Sequence, residues 1–171
     1  MLFRRDPLAN PELLIKRVYR YVAYRVGDGP AAEDITSETF ERALRYRDGY
    51  DPARGEPLAW LIGIARRCIA GAAVETTSAD DDTPDRAAPG RLDEQIGQRL
   101  ALRDALATLP ERDQELLALR FGGDLTARHI AAVLELKPNA VEVALHRALA
   151  RLREALEDEG FGEASALLAS L

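Results

Sequence analysis

The sequence predicts an all-α protein made of two small helical domains that are joined by a flexible acidic linker. The 171 residues are rich in Leu, Ala, Arg and Glu, and apolar residues recur at three- and four-residue spacing. No stretch alternates apolar and polar residues for long enough to make a strand. The first predicted domain is 1–74, the linker 75–90, the second domain 91–159 and a C-terminal tail 160–171.

Three helices are expected before the linker. The first, 11–26, opens with Pro11, whose missing N–H costs nothing in the first turn, and stops at Gly27-Asp28-Gly29. The second, 30–47, opens with Pro30, and the third opens with Pro57 after a loop rich in turn residues. The apolar spacing predicts a core made of Leu14, Val18, Tyr21, Val22, Ile35, Thr39, Phe40, Ala43, Leu44, Leu58, Leu61, Ile62, Ala65, Cys68 and Ile69.

The connector at 75–90 contains five acidic residues, one basic residue and no large apolar residue that could offset the entropy of ordering it. We therefore expect an extended, flexible linker. Its acidity has two open interpretations. It solubilises the chain, or it mimics nucleic acid and screens a DNA-binding surface.

Four helices are expected after the linker, at 92–108, 110–120, 126–134 and 138–157. Thr126 is a good N-cap, and Gly122-Gly123 is expected to supply the left-handed residues that end the preceding helix. The last two helices predict a helix-turn-helix. The apolar stripe of the final helix is Val141, Ala144, Leu145, Ala148, Leu152 and Ala155, and the cationic candidates outside it are His146, Arg147 and Arg151.

Charge is only weak evidence for a nucleic-acid partner. The chain has a formal net charge of -6, distributed as +2 over 1–74, -4 over 75–90 and -4 over 91–171. DNA-binding proteins usually carry a basic patch, so the helix pattern rather than the charge indicates DNA.

Other function classes find little support in the residues. The single cysteine, Cys68, excludes an internal disulfide and suits a reducing cytoplasm, and no apolar run reaches the ~20 residues of a membrane span. We expect a cytoplasmic protein without membrane insertion. The two histidines have no metal-ligand spacing, and no phosphate-binding Gly-Lys-Ser/Thr loop or Gly-x-Ser-x-Gly elbow is present. No catalytic residue, metal site or cofactor is therefore predicted.

Four segments, in order, resemble a known family, the extracytoplasmic-function sigma factors of bacterial RNA polymerase. The first two, AEDITSETFERA at 32–43 and LAWLIGIARR at 58–67, are similar to conserved region two. The other two, LPERDQELL at 109–117 and LHRALARLR at 145–153, are similar to region four. Four matches in the family's order, separated by a variable acidic linker, are much more specific than any one alone.

The resemblance implies roles for residues in the first domain. Glu33, Asp34 and Glu38 would dock on the clamp helices of the largest polymerase subunit, where charge complementarity orients and speeds binding. Aromatic and guanidinium groups would open the minus-ten element and hold an unpaired base. These groups are Tyr46, Tyr50, Arg54, Arg66 and Arg67, whereas Trp60 is expected to pack the second helix against the third.

In the second domain the resemblance implies reading of the minus-thirty-five element, together with contact to the flap of the second-largest subunit. The residues expected near phosphates are Arg128, Lys137, His146 and Arg147, and those expected near base edges are Asn139, Ala140, Glu142 and Val143.

Two departures from the family pattern change what is expected of DNA binding. Glu142 and Ala144 stand where the family commonly has a lysine and an arginine, which predicts an altered or weaker upstream element. After Arg67, where many members have an aspartate and a run of arginines, this chain has CIAGAAVE at 68–75. Fewer neutralised phosphates predict modest DNA affinity that depends on the core polymerase.

The resemblance thus implies a sigma factor that binds core RNA polymerase, recognises and melts promoter DNA, and needs neither a cofactor nor an active site of its own. It also implies an anti-sigma protein held between the two domains. Two alternatives remain at this point: a sigma-like decoy that docks on polymerase without melting DNA, and a stand-alone helix-turn-helix regulator. The tail has three open interpretations, a frayed end, a lid on the second domain or part of a partner contact, of which the first two are favoured.

Overall fold

The computed structural model describes residues 6–76 and 93–158. These ranges contain seven α-helices and no strand, which confirms the all-α prediction. The helices are α1 Pro11–Val26, α2 Pro30–Arg45, α3 Pro57–Thr76, α4 Asp93–Thr108, α5 Glu111–Leu117, α6 Ala127–Leu134 and α7 Pro138–Asp158. Because α3 continues through Thr76, the first two residues of the predicted linker are helical. The rest of that linker and the tail at 160–171 lie outside the described residues.

The chain forms two compact units. Within the described ranges, the first consists of 6–76 and 118–142, and the second of 93–117 and 143–158. Helix α7 contributes its first residues to one unit and the remainder to the other. The domain boundaries expected from the sequence stay a prediction.

The core of the first unit comes from one face of each of α1, α2 and α3. Val18, Tyr21 and Val22 of α1 have no exposed surface, and Leu61 and Ile62 of α3 are equally buried. On α2 the buried stripe is Ala32, Ile35, Thr36, Thr39 and Ala43. The hydroxyls of Thr36 and Thr39 each donate to the carbonyl four residues earlier, at 2.7 Å, so their burial leaves no unsatisfied donor.

The predicted core is wrong at one position of α2. Leu44 is 56% exposed, because the buried stripe is centred on Thr36 and Thr39 and turns away from Leu44 by the last turn. Leu14, Phe40 and Ile69 are half-buried, and the other predicted core residues of these three helices are buried. Helix α2 also ends at Arg45 and not at residue 47, because a 3-10 turn, Arg47–Gly49, follows it.

The turn between α1 and α2 uses the two glycines expected there. Gly27 and Gly29 have positive φ values of 91° and 136°, which residues with a Cβ rarely adopt. The hydroxyl of Tyr19 donates to the Asp28 carboxylate within the turn, and this hydrogen bond raises the pKa of Tyr19. The turn therefore fixes the point at which the chain reverses.

Gly122 and Gly123 serve a different purpose from the one predicted. A π-helical turn, Ala118–Gly122, extends α5, and the left-handed residue that follows is Asp124, with φ 52°. A Cβ on Gly122 would lie 2.9 Å from Tyr21 Cα, and one on Gly123 would lie 2.8 Å from Ile62 Cδ1. The glycines are therefore needed for close packing against α1 and α3 and not for a positive φ.

The second unit has its own small apolar core and an ion pair whose carboxylate is buried. Ala105, Leu116, Ala148 and Leu156 have no exposed surface. Asp113 is buried, and its carboxylate accepts a hydrogen bond from the Arg151 guanidinium. Arg151 therefore holds α7 to α5 within this unit, since a buried carboxylate needs a paired partner.

Candidate nucleic-acid interface

The loop between α2 and α3 is braced by its own hydrogen bonds. Asp51 begins a second 3-10 turn, Pro52–Arg54, and its side chain accepts from the Ala53 amide at 3.0 Å. The Tyr50 hydroxyl donates to the Gly55 carbonyl at 2.9 Å. Gly55 has φ 151°, a conformation that favours glycine. These contacts hold the loop in one shape before any ligand arrives.

A cavity of about 340 Å³ lies between this loop and α3. The Tyr50 and Trp60 rings pack at 5.4 Å between centroids, tilted by 56°. Exposed Arg54 and Arg67 add cationic groups to the cavity lining. The full lining is Gly49, Tyr50, Asp51, Arg54, Gly55, Ala59, Trp60, Gly63, Ile64, Arg67, Ala132 and Val133. A site with aromatic rings beside guanidinium groups suits a flat, unstacked base with its phosphates.

The five residues predicted for the minus-ten element do not share one position. Tyr50, Arg54 and Arg67 line the cavity, and Trp60, expected as a packing residue, joins them. Tyr46 is 60% exposed at the end of α2 and is not among the lining residues. Arg66 is half-buried, and its Nη1 donates to the Val133 carbonyl of α6 at 3.2 Å.

The acidic residues of α2 are available to a partner to different degrees. Glu33 and Asp34 are exposed in the first turns of the helix. Glu38 is half-buried and forms an ion pair with Arg42 one turn later, with 2.5 Å between Oε1 and Nη2. The negative charges of Glu33 and Asp34 are therefore exposed to a partner, whereas the negative charge of Glu38 is partly neutralised by Arg42.

The predicted helix-turn-helix is present as α6, a three-residue turn and α7. Thr126 caps α6 by accepting from the His129 amide at 3.3 Å, as expected. Glu135 ends α6 with a left-handed φ of 56°, and the Leu136 amide donates to Ala131 O at 2.9 Å. Residues other than glycine seldom adopt a positive φ. The surrounding contacts, such as the Leu136–Ala131 hydrogen bond, therefore hold Glu135 in this conformation.

The residues predicted for the minus-thirty-five element are exposed. Arg128 on α6 and Lys137 in the turn are accessible to solvent. The exposed candidates on α7 are Asn139, Ala140, Glu142, Val143, His146 and Arg147. Val143 is an aliphatic side chain with 52% of its surface exposed.

Sequence reasoning missed two arginines of α1. Arg17 Nη2 donates to the carbonyls of Gly123 and Asp124, at 3.1 and 2.7 Å, and lies 3.5 Å from the Asp124 carboxylate. Arg20 Nη2 donates to the Phe121 carbonyl at 3.1 Å. Their acceptors are backbone groups roughly a hundred residues away, which leave no side-chain pattern to recognise.

The described ranges contain no cluster of His, Cys, Asp or Glu able to hold a metal ion. Within the same ranges, no helix has the length and apolar character required to cross a membrane.

Comparison with known proteins defines the class first. The Sigma-70 region 2 model matches residues 12–72, and the Sigma-70 region 4 model matches residues 99–152. These two regions contain the cavity, the acidic helix and the helix-turn-helix.

Curated relatives give the narrower family. The ECF RNA polymerase sigma factor SigD of Mycobacterium tuberculosis is 32% identical over 160 residues, covering 84% of this chain and 73% of the relative. The ECF RNA polymerase sigma factor BldN of Streptomyces coelicolor is 36% identical over 152 residues, covering 83% of this chain. The chain spans only 57% of the length of that relative. The chain belongs to the ECF RNA polymerase sigma factors, as the resemblance implied.

Solved structures share the fold. The sigma factor RpoE of Bartonella quintana, solved with the anti-sigma factor NepR, aligns with a TM-score of 0.64 at 20% identity. That alignment covers 85% of this chain and 93% of the RpoE chain. CnrH, solved with the cytosolic domain of CnrY, aligns with a TM-score of 0.57 at 22% identity, covering 88% of this chain and 85% of CnrH.

Proposed function

We propose that this chain binds core RNA polymerase and directs it to promoters, where it recognises two elements and opens the DNA. The observation that carries the proposal is the cavity beside the α2–α3 loop, where Tyr50 and Trp60 stand next to the guanidinium groups of Arg54 and Arg67. A duplex-binding protein that only reads groove edges has no need of such a cavity. A protein that captures an unpaired base does.

Base capture follows from the chemistry of the lining. Every base has a flat π face, and stacking on an aromatic side chain is worth about 1–3 kcal/mol per base. This stabilisation offsets part of the cost of unstacking the base from the duplex, which is a few kcal/mol. Exposed Arg54 and Arg67 would neutralise the flanking phosphates of the nontemplate strand.

Polymerase docking is assigned to the acidic face of α2. Exposed Glu33 and Asp34, with half-buried Glu38, would meet basic side chains of the clamp helices of the largest subunit. The region four segment would contact the flap of the second-largest subunit, as the family resemblance implies.

The exposed face of α7 is assigned to the minus-thirty-five element. Asn139, Ala140, Glu142 and Val143 would contact base edges. Arg128, Lys137, His146 and Arg147 would contact phosphates. Because Glu142 accepts hydrogen bonds but repels phosphate, its partner would be the N4 amine of a cytosine.

The chain acts in the cytoplasm as a specificity subunit without a catalytic site or cofactor of its own. An anti-sigma protein restrains it; the complex of Bartonella quintana RpoE with the anti-sigma factor NepR, whose sigma chain has a similar fold, supports this expectation.

The experiment is transcription in vitro by core polymerase of the same organism on fragmented genomic DNA, with and without the chain. We expect new discrete start sites that share two upstream sequence elements. Core polymerase alone and core polymerase with another sigma factor are the controls. Binding to core without new starts would instead identify a decoy, and binding to genomic fragments without core would identify a stand-alone regulator.

A further inference from the structure

The first compact unit contains a contact between the two conserved regions. Its region two part, α1 to α3, packs against 118–134, the segment that leads into and includes α6. This contact is built from groups that the proposed function does not use, chiefly Arg17, Arg20, Gly122 and Gly123.

Arginines on α1 bind the end of the π-helical turn. Arg17 and Arg20 together donate three hydrogen bonds to the carbonyls of Phe121, Gly123 and Asp124. Carbonyls that follow the end of a helix lack intrahelical partners and carry partial negative charge, so cationic donors suit them. Hydrogen bonds with a charged donor are about twice as strong as neutral ones.

The backbones approach as closely as glycine allows. Gly122 lies against the α1 backbone at Arg20 and Tyr21, and Gly123 lies against the Ile62 side chain of α3. Leu119 and Leu125, on either side of the glycines, are buried. The contact is thus closely packed, with buried leucines at its centre and hydrogen bonds around them.

Helix α6 meets α3 beside the cavity. Arg66 donates to the Val133 carbonyl, and Ala132 and Val133 form part of the cavity lining. At the opposite end of α6, His129 Nε2 lies 3.8 Å from Glu56 Oε1 in the loop before α3. Arg66 cannot direct the same N–H to a DNA phosphate while it donates to Val133.

We propose that docking of 118–134 on α1 and α3 holds the free chain in a closed state that restricts DNA access to the cavity and to Arg66, and that this segment must lift off before DNA binds. The idea rests on the proposed function, because it assumes that the cavity receives single-stranded DNA. The occupant of the α1–α3 surface is a segment of the same chain. Closure therefore needs no other protein.

Two variants weaken the contact in different ways, each with a matched control. Gly122→Ala places a Cβ 2.9 Å from the α1 backbone, whereas Gly97→Ala adds a Cβ on α4 with nothing within 4 Å. Arg17→Ala removes two hydrogen bonds to 118–134, whereas Lys16→Ala removes an exposed cation of the same helix. Circular dichroism and thermal melts establish that each variant is folded, and if Gly122→Ala unfolds, the Arg17→Ala variant carries the test.

Docking is measured without DNA, by the distance between spin labels on the full chain carrying Glu12→Cys and Arg128→Cys in a Cys68→Ala background. DNA access is measured on unlabelled chains by the fluorescence anisotropy of a short fluorescein-labelled oligothymidylate.

We expect a short, narrow distance distribution in the parent chain and a longer, broader one with Gly122→Ala or Arg17→Ala. Both variants should bind the oligonucleotide about tenfold more tightly if the open state is about one-tenth populated in the parent chain. The gain with Arg17→Ala would occur despite the loss of a positive charge. The two controls should match the parent.

Equal oligonucleotide affinity in the parent and the opened variants would overturn gating while leaving the proposed function intact. A broad distance distribution in the parent chain would overturn docking itself. No oligonucleotide binding by any variant would overturn gating in the free chain but not the proposed function, which transcription with core polymerase tests separately, and the label distances would still record whether the segment is docked.

Discussion

The two candidate DNA sites differ in how they present their chemistry. The loop and α3 enclose a cavity, and its tyrosine is 7% exposed with its hydroxyl already bonded to Gly55. Helix α7 offers instead a row of exposed side chains from Asn139 to Arg147 on a single helix. A base that leaves the stack is bound in a pocket. A base pair inside a duplex is read by an element that fits into the groove, such as an exposed helix. The architecture of each site therefore indicates which form of DNA it meets.

The largest effect on the difference between the two sites is expected from removing a wall of the cavity. Trp60→Ala should lower open-complex formation by about 1–3 kcal/mol, roughly fivefold to 150-fold, because one stacking surface is lost. Permanganate reactivity of unpaired thymines measures the effect. Trp60→Phe should retain most of the activity. If Tyr46→Ala, which lies outside the cavity lining, is as damaging as Trp60→Ala, the cavity is not the receptor.

The corresponding test on α7 changes sequence preference and not melting. Glu142→Lys should alter the preferred base pair at one upstream position, with a change of about 1–3 kcal/mol in discrimination, because the carboxylate acceptor is replaced by a cation. Binding to a library of upstream elements measures the preference. Glu154→Lys makes the same charge change at an exposed position further along α7 and should leave the preference as it was.

A smaller effect distinguishes the two arginines of α3. Arg67→Ala should reduce the slope of log affinity against log salt for single-stranded DNA by about 0.7, the value of one phosphate contact, and Arg67→Lys should retain it. Arg66→Ala is expected to change the slope less in the free chain, since Arg66 donates to Val133. If Arg67→Ala and the parent have equal salt slopes, Arg67 does not contact a DNA phosphate.

The smallest effect is expected on docking to core polymerase. Glu33→Gln with Asp34→Asn should lower core affinity roughly twofold to tenfold, mainly through a slower association rate that high salt abolishes. Stopped-flow association with labelled core measures it. Glu41→Gln, another exposed carboxylate of α2, is the control; an equal loss there would mean that the overall charge of α2 matters more than this pair.

Much of the fold was predictable because its signals are local. Pro11, Pro30, Pro57, Pro138 and the Thr126 cap mark helix starts correctly. The position of Leu44 was not predictable from spacing alone, because neighbouring stripes of α2 contain apolar residues and only packing chooses between them. The glycine pair at 122–123 was noticed but misinterpreted, since a turn and a close approach both favour glycine.

The candidate site was predictable in its composition and less so in its arrangement. Residue types that bind bases and phosphates were identifiable from the segments resembling regions two and four. The bond from Tyr50 to Gly55 and those from Arg17 and Arg20 to 121–124 use backbone carbonyls. Every residue has such a carbonyl, so no sequence pattern distinguishes the one that is used.

Cys68 has a further consequence for how oxidants can reach this chain. Its thiol is 1% exposed in the α3 core and is the only one in these 171 residues. Reaction with an oxidant requires access to the sulfur atom, which the apolar surroundings of this buried thiol prevent. While the first unit is folded, Cys68 is therefore shielded from peroxide and from thiol–disulfide exchange. An oxidant reaches this thiol only when the packing around α3 opens.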